Sequence, residues 1–230
     1  MLVIGHRGAG AYSPHNSRQS FAQAIAMGAQ MIETDLRVTL DNIPVIHHDP
    51  DTLWGPIDQL KWDELRKYPL ENGEHLLSLE EMLQLFGQKV RFNLEIKPIS
   101  VAGIDPIFFI INRYALPQPL ISSFAHNIIK YLPRLENYET ALLVEESLPI
   151  ENLLATLEQL KVSCLNLYYP LLDKDLAATI HHNNYKVIVW SDFFSEIWNP
   201  VEMYRKAHGL KCEGYITGKP NLLTNFLKFS

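Results

Sequence analysis

Eight short runs of branched and aromatic apolar residues, separated by stretches with helical spacing, constrain this chain more than any other feature. The runs cover residues 2–5, 30–35, 90–97, 120–124, 140–144, 163–167, 186–190 and 214–217, each short enough for a strand buried on both faces. Helical patterns separate them at 18–27, 62–67 with 79–86, 104–113, 126–135, 150–160, 174–183 and 201–208. Alternation of this kind builds parallel sheet, because a parallel neighbour is reached through a crossover helix. Eight strands in 230 residues match a closed (β/α)8 TIM barrel, near the lower end of the ~200 to 400 residues usual for it. An open doubly wound sheet competes, but Gly5, Gly8 and Gly10 do not give the G-x-G-x-x-G turn, and Pro14 intervenes before the first helix. No Gly/Ser linker or change of composition divides the chain, so residues 1–230 read as one barrel domain.

Composition narrows the function classes. A hydrophobic fraction of 47% supplies a sizeable core, and a net charge of -6 argues against general affinity for nucleic acid or anionic membrane. Cys164 and Cys212 lie far apart with no metal-site spacing and read as core residues. The opening residues lack the charged and apolar segments of a signal peptide, and no stretch approaches the ~20 apolar residues of a membrane span. The expectation is a soluble cytoplasmic protein without stable membrane insertion; the sequence assigns no oligomeric state.

One segment departs from the alternation. The second run continues through residues 36–40 to Asp41-Asn42 and returns through 43–48, which reads as a β-hairpin extension after the second strand. A two-residue Asp41-Asn42 turn sets Thr39 opposite Pro44 and Asp35 opposite His48, bringing His48 back to the rim that Asp35 leaves.

Ionisable residues stand where burial should be costly, at the ends of the apolar runs: His6-Arg7, Glu33 with Asp35, His48, and Glu95 with Lys97. Alternate residues of a strand share a face, so Glu33 and Asp35 point together, as do Glu95 and Lys97. Three crowded carboxylates repel one another unless a cation sits among them, and an all-oxygen set suits one divalent cation, Mg²⁺ or Ca²⁺. A buried network with Arg7, Arg37 or Lys97 is the alternative. Two imidazoles and two cations beside such a site suit phosphate ester chemistry: Arg and Lys hold nonbridging oxygens, and histidines serve as base and acid.

These residues carry a resemblance. His6-Arg7-Gly8, Pro14-His15-Asn16-Ser17, Ile32-Glu33-Thr34-Asp35, His48-Asp49, Leu94-Glu95-Ile96-Lys97, Ser123-Phe124, Trp190 and Gly214-Tyr215-Ile216-Thr217 resemble, in order and spacing, the glycerophosphodiester phosphodiesterase family over nearly the whole chain. The resemblance implies a (β/α)8 barrel of the phospholipase C-like phosphodiesterase type, with its site at the carboxyl ends of the strands. It implies that His6 and His48 are the acid/base pair, that Glu33, Asp35 and Glu95 bind the metal, that Arg7 and Lys97 contact phosphate, and that Trp190 lines the pocket beside glycerol. The implied reaction hydrolyses a small glycerophosphodiester to sn-glycerol 3-phosphate and an alcohol. Either the glycerol 2-hydroxyl attacks first, through a cyclic phosphate, or water attacks directly.

The chain departs from the family pattern at several points. His15 replaces the acidic residue of Pro-Glu-Asn-Thr, which should alter loop hydrogen bonding or pocket polarity. Asp51-Thr52-Leu53-Trp54-Gly55 replaces an Arg-Thr segment, Trp190-Ser191-Asp192-Phe193 replaces Trp-Thr-Val-Asn, and Thr217-Gly218-Lys219-Pro220 replaces Thr-Asp-Arg-Pro. Rim loops vary independently of strand ends, so these changes bear on substrate preference more than on chemistry. The connection after His48 is too short for a large cap. His47 should face away from His48, His181-His182 suit a helix C-terminus, and Phe124 fits pocket or core equally. Two other functions stay in competition. A phospholipase D-like enzyme on lysophospholipids would need an apolar groove, for which Trp54, Phe193, Phe194 and Trp198 are available; a catalytically silent barrel would bind a phosphorylated ligand without turnover.

Overall fold

A computed structural model describes residues 1–132, 138–193 and 195–230. The chain runs β1 (Leu2–His6), α1 (Arg18–Ala26), β2 (Met31–Val38), β3 (Pro44–Ile46), β4 (Asp51–Thr52), β5 (Gly55–Pro56), α2 (Trp62–Leu65) and α3 (Leu79–Phe86). It continues through β6 (Arg91–Ile96), α4 (Ile104–Tyr114), β7 (Leu120–Ser123), α5 (His126–Tyr131), β8 (Glu139–Val144), α6 (Ile150–Leu160), β9 (Cys164–Tyr168) and α7 (Lys174–His182). The remaining elements are β10 (Lys186–Trp190), α8 (Ser195–Trp198), α9 (Pro200–Gly209), β11 (Gly214–Thr217) and α10 (Pro220–Lys228).

Eight parallel strands, in the order β1-β11-β10-β9-β8-β7-β6-β2, close through the β1–β2 pairing. The expected (β/α)8 barrel is what forms, with β3 as the antiparallel return of the hairpin. Its floor is packed by Ile4, Met31, Leu120, Ala141, Cys164, Ile188 and Ile216, one residue from each barrel strand except β6. The larger core lies between strands and outer helices. There α3 shows how pattern becomes packing. Ser78 caps its first turn and Glu81 reaches back to Ser78, while Leu79, Met82, Leu83 and Phe86 bury one face. Each such side chain contributes roughly 1.5–3 kcal/mol.

The hairpin register differs by one residue from expectation. Leu36 pairs with Ile46, Arg37 with Val45 and Val38 with Pro44, so Asp35 faces His47, whose N–H donates to Asp35 O at 3.1 Å. The turn uses three residues rather than two, because Asn42 takes a left-handed conformation (φ 62°) and Thr39 Oγ1 accepts from the Ile43 N–H. His48 still reaches the rim, since β3 ends at Ile46. Beyond it a small unit packs on its own cluster of Val45, Ile57, Leu65 and Leu76 and builds no large cap. The pattern at 126–135 is helical to Tyr131, and 133–137 lie outside the described residues. α8 and α10 were not foreseen in the sequence; α10 starts on Pro220 and buries Leu223. Among the described residues no helix is long and apolar enough to cross a membrane.

Candidate active site

Strand register assembles the acidic cluster. His6 pairs with Glu33 across β1–β2, and Asp35 pairs with Glu95 across β2–β6, which puts all four at the carboxyl ends of adjacent strands. Oxygens of Glu33, Asp35 and Glu95 lie within 4.8 Å of one another and all three residues are buried. A cavity of about 210 Å³ opens above them, reached by His6, Arg7, Glu33, His48, Glu95 and Lys97. Its far wall holds Phe124, Trp190, Phe193 and two carboxylates, Glu145 and Asp192. Asp35 lies behind this lining.

The charges interlock. Lys97 Nζ is 2.9 Å from Asp35 Oδ1 and 2.5 Å from Glu95 Oε1, so here it pairs with carboxylates while also facing the cavity. Arg7 Nε is 3.3 Å from Asp35 Oδ2, and the Arg7 backbone N–H donates to Glu33 Oε2 at 3.2 Å. Arg7 achieves this in a left-handed conformation, φ 51°, strain that a non-glycine residue accepts only where surroundings hold it. Burial would raise the Asp35 pKa, but Lys97 and Arg7 outweigh it and hold the carboxyl far below its usual range. Burial and the charge of Asp35 instead push Glu33 well up, and Glu95 to about 7.

Those opposite shifts test the fit of a cation. Three carboxylates face two side-chain cations, and among the described residues Glu33 has no Lys or Arg side chain within ion-pair distance. With Arg7 and Lys97 engaged by Asp35 and Glu95 and only the His6 imidazole, at 3.9 Å, beside Glu33, the set is short of positive charge, its donors are all oxygen, and a hard divalent ion suits it.

His48 is half-buried, its Nδ1 2.8 Å from Asp49 Oδ1, and Arg37 grips the His48 carbonyl through two N–H donors. His6 is 8% exposed, its Nε2 3.9 Å from Glu33 Oε2. Burial, then Arg7, lowers its pKa well below the ordinary imidazole value. Burial lowers His48 as well. Trp190 donates through Nε1 to Asn166 O and packs against Phe124 and Tyr168. Phe124 is thereby a pocket residue.

Two contributors were missed in the sequence. Asn16, left-handed at φ 58°, donates to Asp35 Oδ2 at 2.9 Å and accepts from Thr34 Oγ1 at 2.7 Å; its place in a Pro-x-Asn loop was the available signal. Phe193 stacks on both His6 and His15, and no spacing rule signals that. His47 lines a different depression, beside Tyr68. Trp54 packs on Tyr68, whereas Phe194 and the Trp198 side chain lie outside the described residues. His181 and His182 sit in the last turn of α7, and both cysteines are buried.

A family model described as "Glycerophosphoryl diester phosphodiesterase family" matches residues 6–222. A Mycobacterium tuberculosis protein named "Probable glycerophosphodiester phosphodiesterase 2" is 36% identical over 131 residues, 54% of this chain and about half (48%) of that protein. The glycerophosphodiester phosphodiesterase of Caldanaerobacter subterraneus is 26% identical over 245 residues, covering 99% of this chain and 98% of the relative. Among solved structures, an Oleispira antarctica phosphodiesterase in complex with the product sn-glycerol-3-phosphate superposes with a TM-score of 0.88 at 22% identity, covering 99% and 97% of the two chains. At that identity the likeness concerns the fold.

Proposed function

The chain belongs to the glycerophosphoryl diester phosphodiesterase family, and on that premise we propose that it hydrolyses small glycerophosphodiesters to sn-glycerol 3-phosphate and an alcohol, as one metal-dependent barrel domain. The observation that carries this reading is the single cavity shared by Glu33, Glu95, Lys97, Arg7, His6 and His48, with Asp35 directly behind.

Glu33, Asp35 and Glu95 would hold one divalent cation, Mg²⁺ or Ca²⁺. Bound there, the cation supplies neutralisation of charge on the phosphoryl oxygens. Arg7 and Lys97 orient the phosphate from the same side, and the indole of Trp190 bounds the glycerol. Two histidines divide the proton transfers. Burial and Arg7 lower the His6 pKa well below its ordinary value, which favours the neutral form a base requires, so it takes the proton of the attacking hydroxyl, from the glycerol 2-position or from water. His48 gives its proton to the departing alcohol oxygen as the phosphorus–oxygen bond breaks; Asp49, at 2.8 Å, supports the protonated imidazole until then. If a cyclic phosphate forms, water opens it with the two roles exchanged. The carboxylates of Glu145 and Asp192 at the cavity wall favour an alcohol that carries an ammonium group, such as choline or ethanolamine.

The test is release of glycerol 3-phosphate from glycerophosphocholine with Mg²⁺, with Ca²⁺ and with chelator, beside Glu95→Gln and His48→Ala. Turnover that needs metal and disappears in both variants is expected. Turnover that survives chelation or His48→Ala refutes the mechanism, and ligand binding without turnover in the wild type refutes the enzyme reading.

A further inference from the structure

The two catalytic imidazoles are held by different means. His48 has a carboxylate on its Nδ1. Among the described residues His6 Nδ1, which is buried, has no hydrogen-bond partner, and Nε2 lies beyond hydrogen-bond range of Glu33. An imidazole without hydrogen bonds has a broad, roughly two-fold preference about its ring torsion. Something else must select its orientation.

The face of the His6 ring lies on Phe193, with centroids 4.4 Å apart and planes inclined by 11°. The same phenyl ring stacks on His15 at 4.4 Å and 19°, and the Arg7 guanidinium carbon stands 5.6 Å from its centroid. Clearance for the phenyl comes from two glycines: a Cβ on Gly10 would stand 2.8 Å from Phe193 Cζ, and one on Gly218 2.6 Å from Cε1. The loop that presents Phe193 is fastened at both sides. Asp192 accepts from the Tyr168 hydroxyl at 2.6 Å and from the Ser195 N–H at 2.7 Å. Buried Glu196 accepts from the Ser191 hydroxyl and the Gly218 N–H. His15 and Phe193 are two of the positions where this chain departs from the family pattern, and they stack on each other beside His6.

We propose that Phe193 is a positioning residue that sets the orientation of the His6 imidazole by face stacking, with His15 bracing the same phenyl ring. The kinetic part of the test rests on the phosphodiesterase reading; the spectroscopic part does not. Phe193→Leu keeps an apolar side chain and removes the ring face. Its kcat should fall roughly three- to tenfold, the range one aromatic pair carries, with KM changed by less than about twofold. The His6 ring-proton resonance, assigned with His6→Asn, should move downfield as the phenyl shielding is lost. His15→Ala should produce a smaller loss in the same direction, and His15→Phe should restore kcat because it keeps the stack. The His15 pair carries the test alone if Phe193→Leu does not fold.

An unmoved His6 resonance in Phe193→Leu overturns the proposal, as does a moved resonance with unchanged kcat. So does His15→Phe behaving like His15→Ala, which would assign the effect to the 3.3 Å contact between His15 Nδ1 and Arg7. A wild type inactive on every glycerophosphodiester would refute the functional reading and leave the resonance shift to decide this one.

Discussion

Glu196→Gln tests how the β10 loop is held. Glu196 is 1% exposed and burial raises its pKa from the ordinary 4.5 to about 7, against the opposing hydrogen bonds from its neighbours. A folded-state pKa above the unfolded value means that the native protein binds the extra proton. Below pH 4.5 the group is protonated in both states and exacts no penalty. As pH rises from 4.5 to about 7 the unfolded chain gives up this proton before the folded one, so stability falls across that window, and above about pH 8 the full cost applies, about 3 kcal/mol. Glutamine keeps the shape and a carbonyl oxygen for the Gly218 N–H, and carries no charge at any pH. The variant should come within about 1 kcal/mol of the wild type near pH 5 and exceed it by up to about 3 kcal/mol at pH 8, or roughly 6–12 °C in Tm for a chain of this size. Urea unfolding of both proteins at pH 5 and pH 8, at one salt concentration, measures the difference. A gap that is independent of pH, or a variant weaker at pH 8 than at pH 5 relative to wild type, refutes the reasoning.

Three further outcomes follow from the site. Mg²⁺ or Ca²⁺ should stabilise the protein by about 2.7 kcal/mol at a hundred times its Kd, and Glu95→Gln should abolish that thermal shift. Asn16→Ala removes the donor on Asp35 Oδ2 and should weaken metal affinity about ten- to a hundredfold by calorimetry, with little change in Tm without metal. Lys97→Met leaves Asp35 and Glu95 without their shared ammonium; without metal it should lose about 3–5 kcal/mol in urea unfolding, and added metal should recover part of that loss.

The barrel was legible because each strand is a continuous apolar run and each run is followed by a helix; every one of the eight strands begins within one residue of its expected start. The site was legible for the opposite reason, since Glu33, Asp35, Glu95 and Lys97 are charges inside such runs. Local backbone chemistry was harder to read. Asn42 in a left-handed turn moved the hairpin register by one residue, and α10 follows Pro220 with apolar residues at 222, 223, 226 and 227 that resemble a terminal tail as much as a helix. The stack on His6 was not readable at all. Its rings come from the end of β1, from the connection that follows it and from the connection after β10, which closure of the barrel brings together.

That closure also orders events in time. Every proposed metal ligand precedes residue 98, so a growing chain makes the carboxylates and the strands that align them while most of the barrel is still unsynthesised. Strand β1 has two partners, β2 and β11, and the second emerges after every other barrel strand. Until then His6 lacks both the phenyl ring from residue 193 and the backbone of Gly218 that seats it. Pairing across that sequence separation is a slow, late step of folding, and a polypeptide caught before it holds the acids without the oriented base. On the proposed mechanism hydrolysis thus awaits β11, whereas cation capture need not.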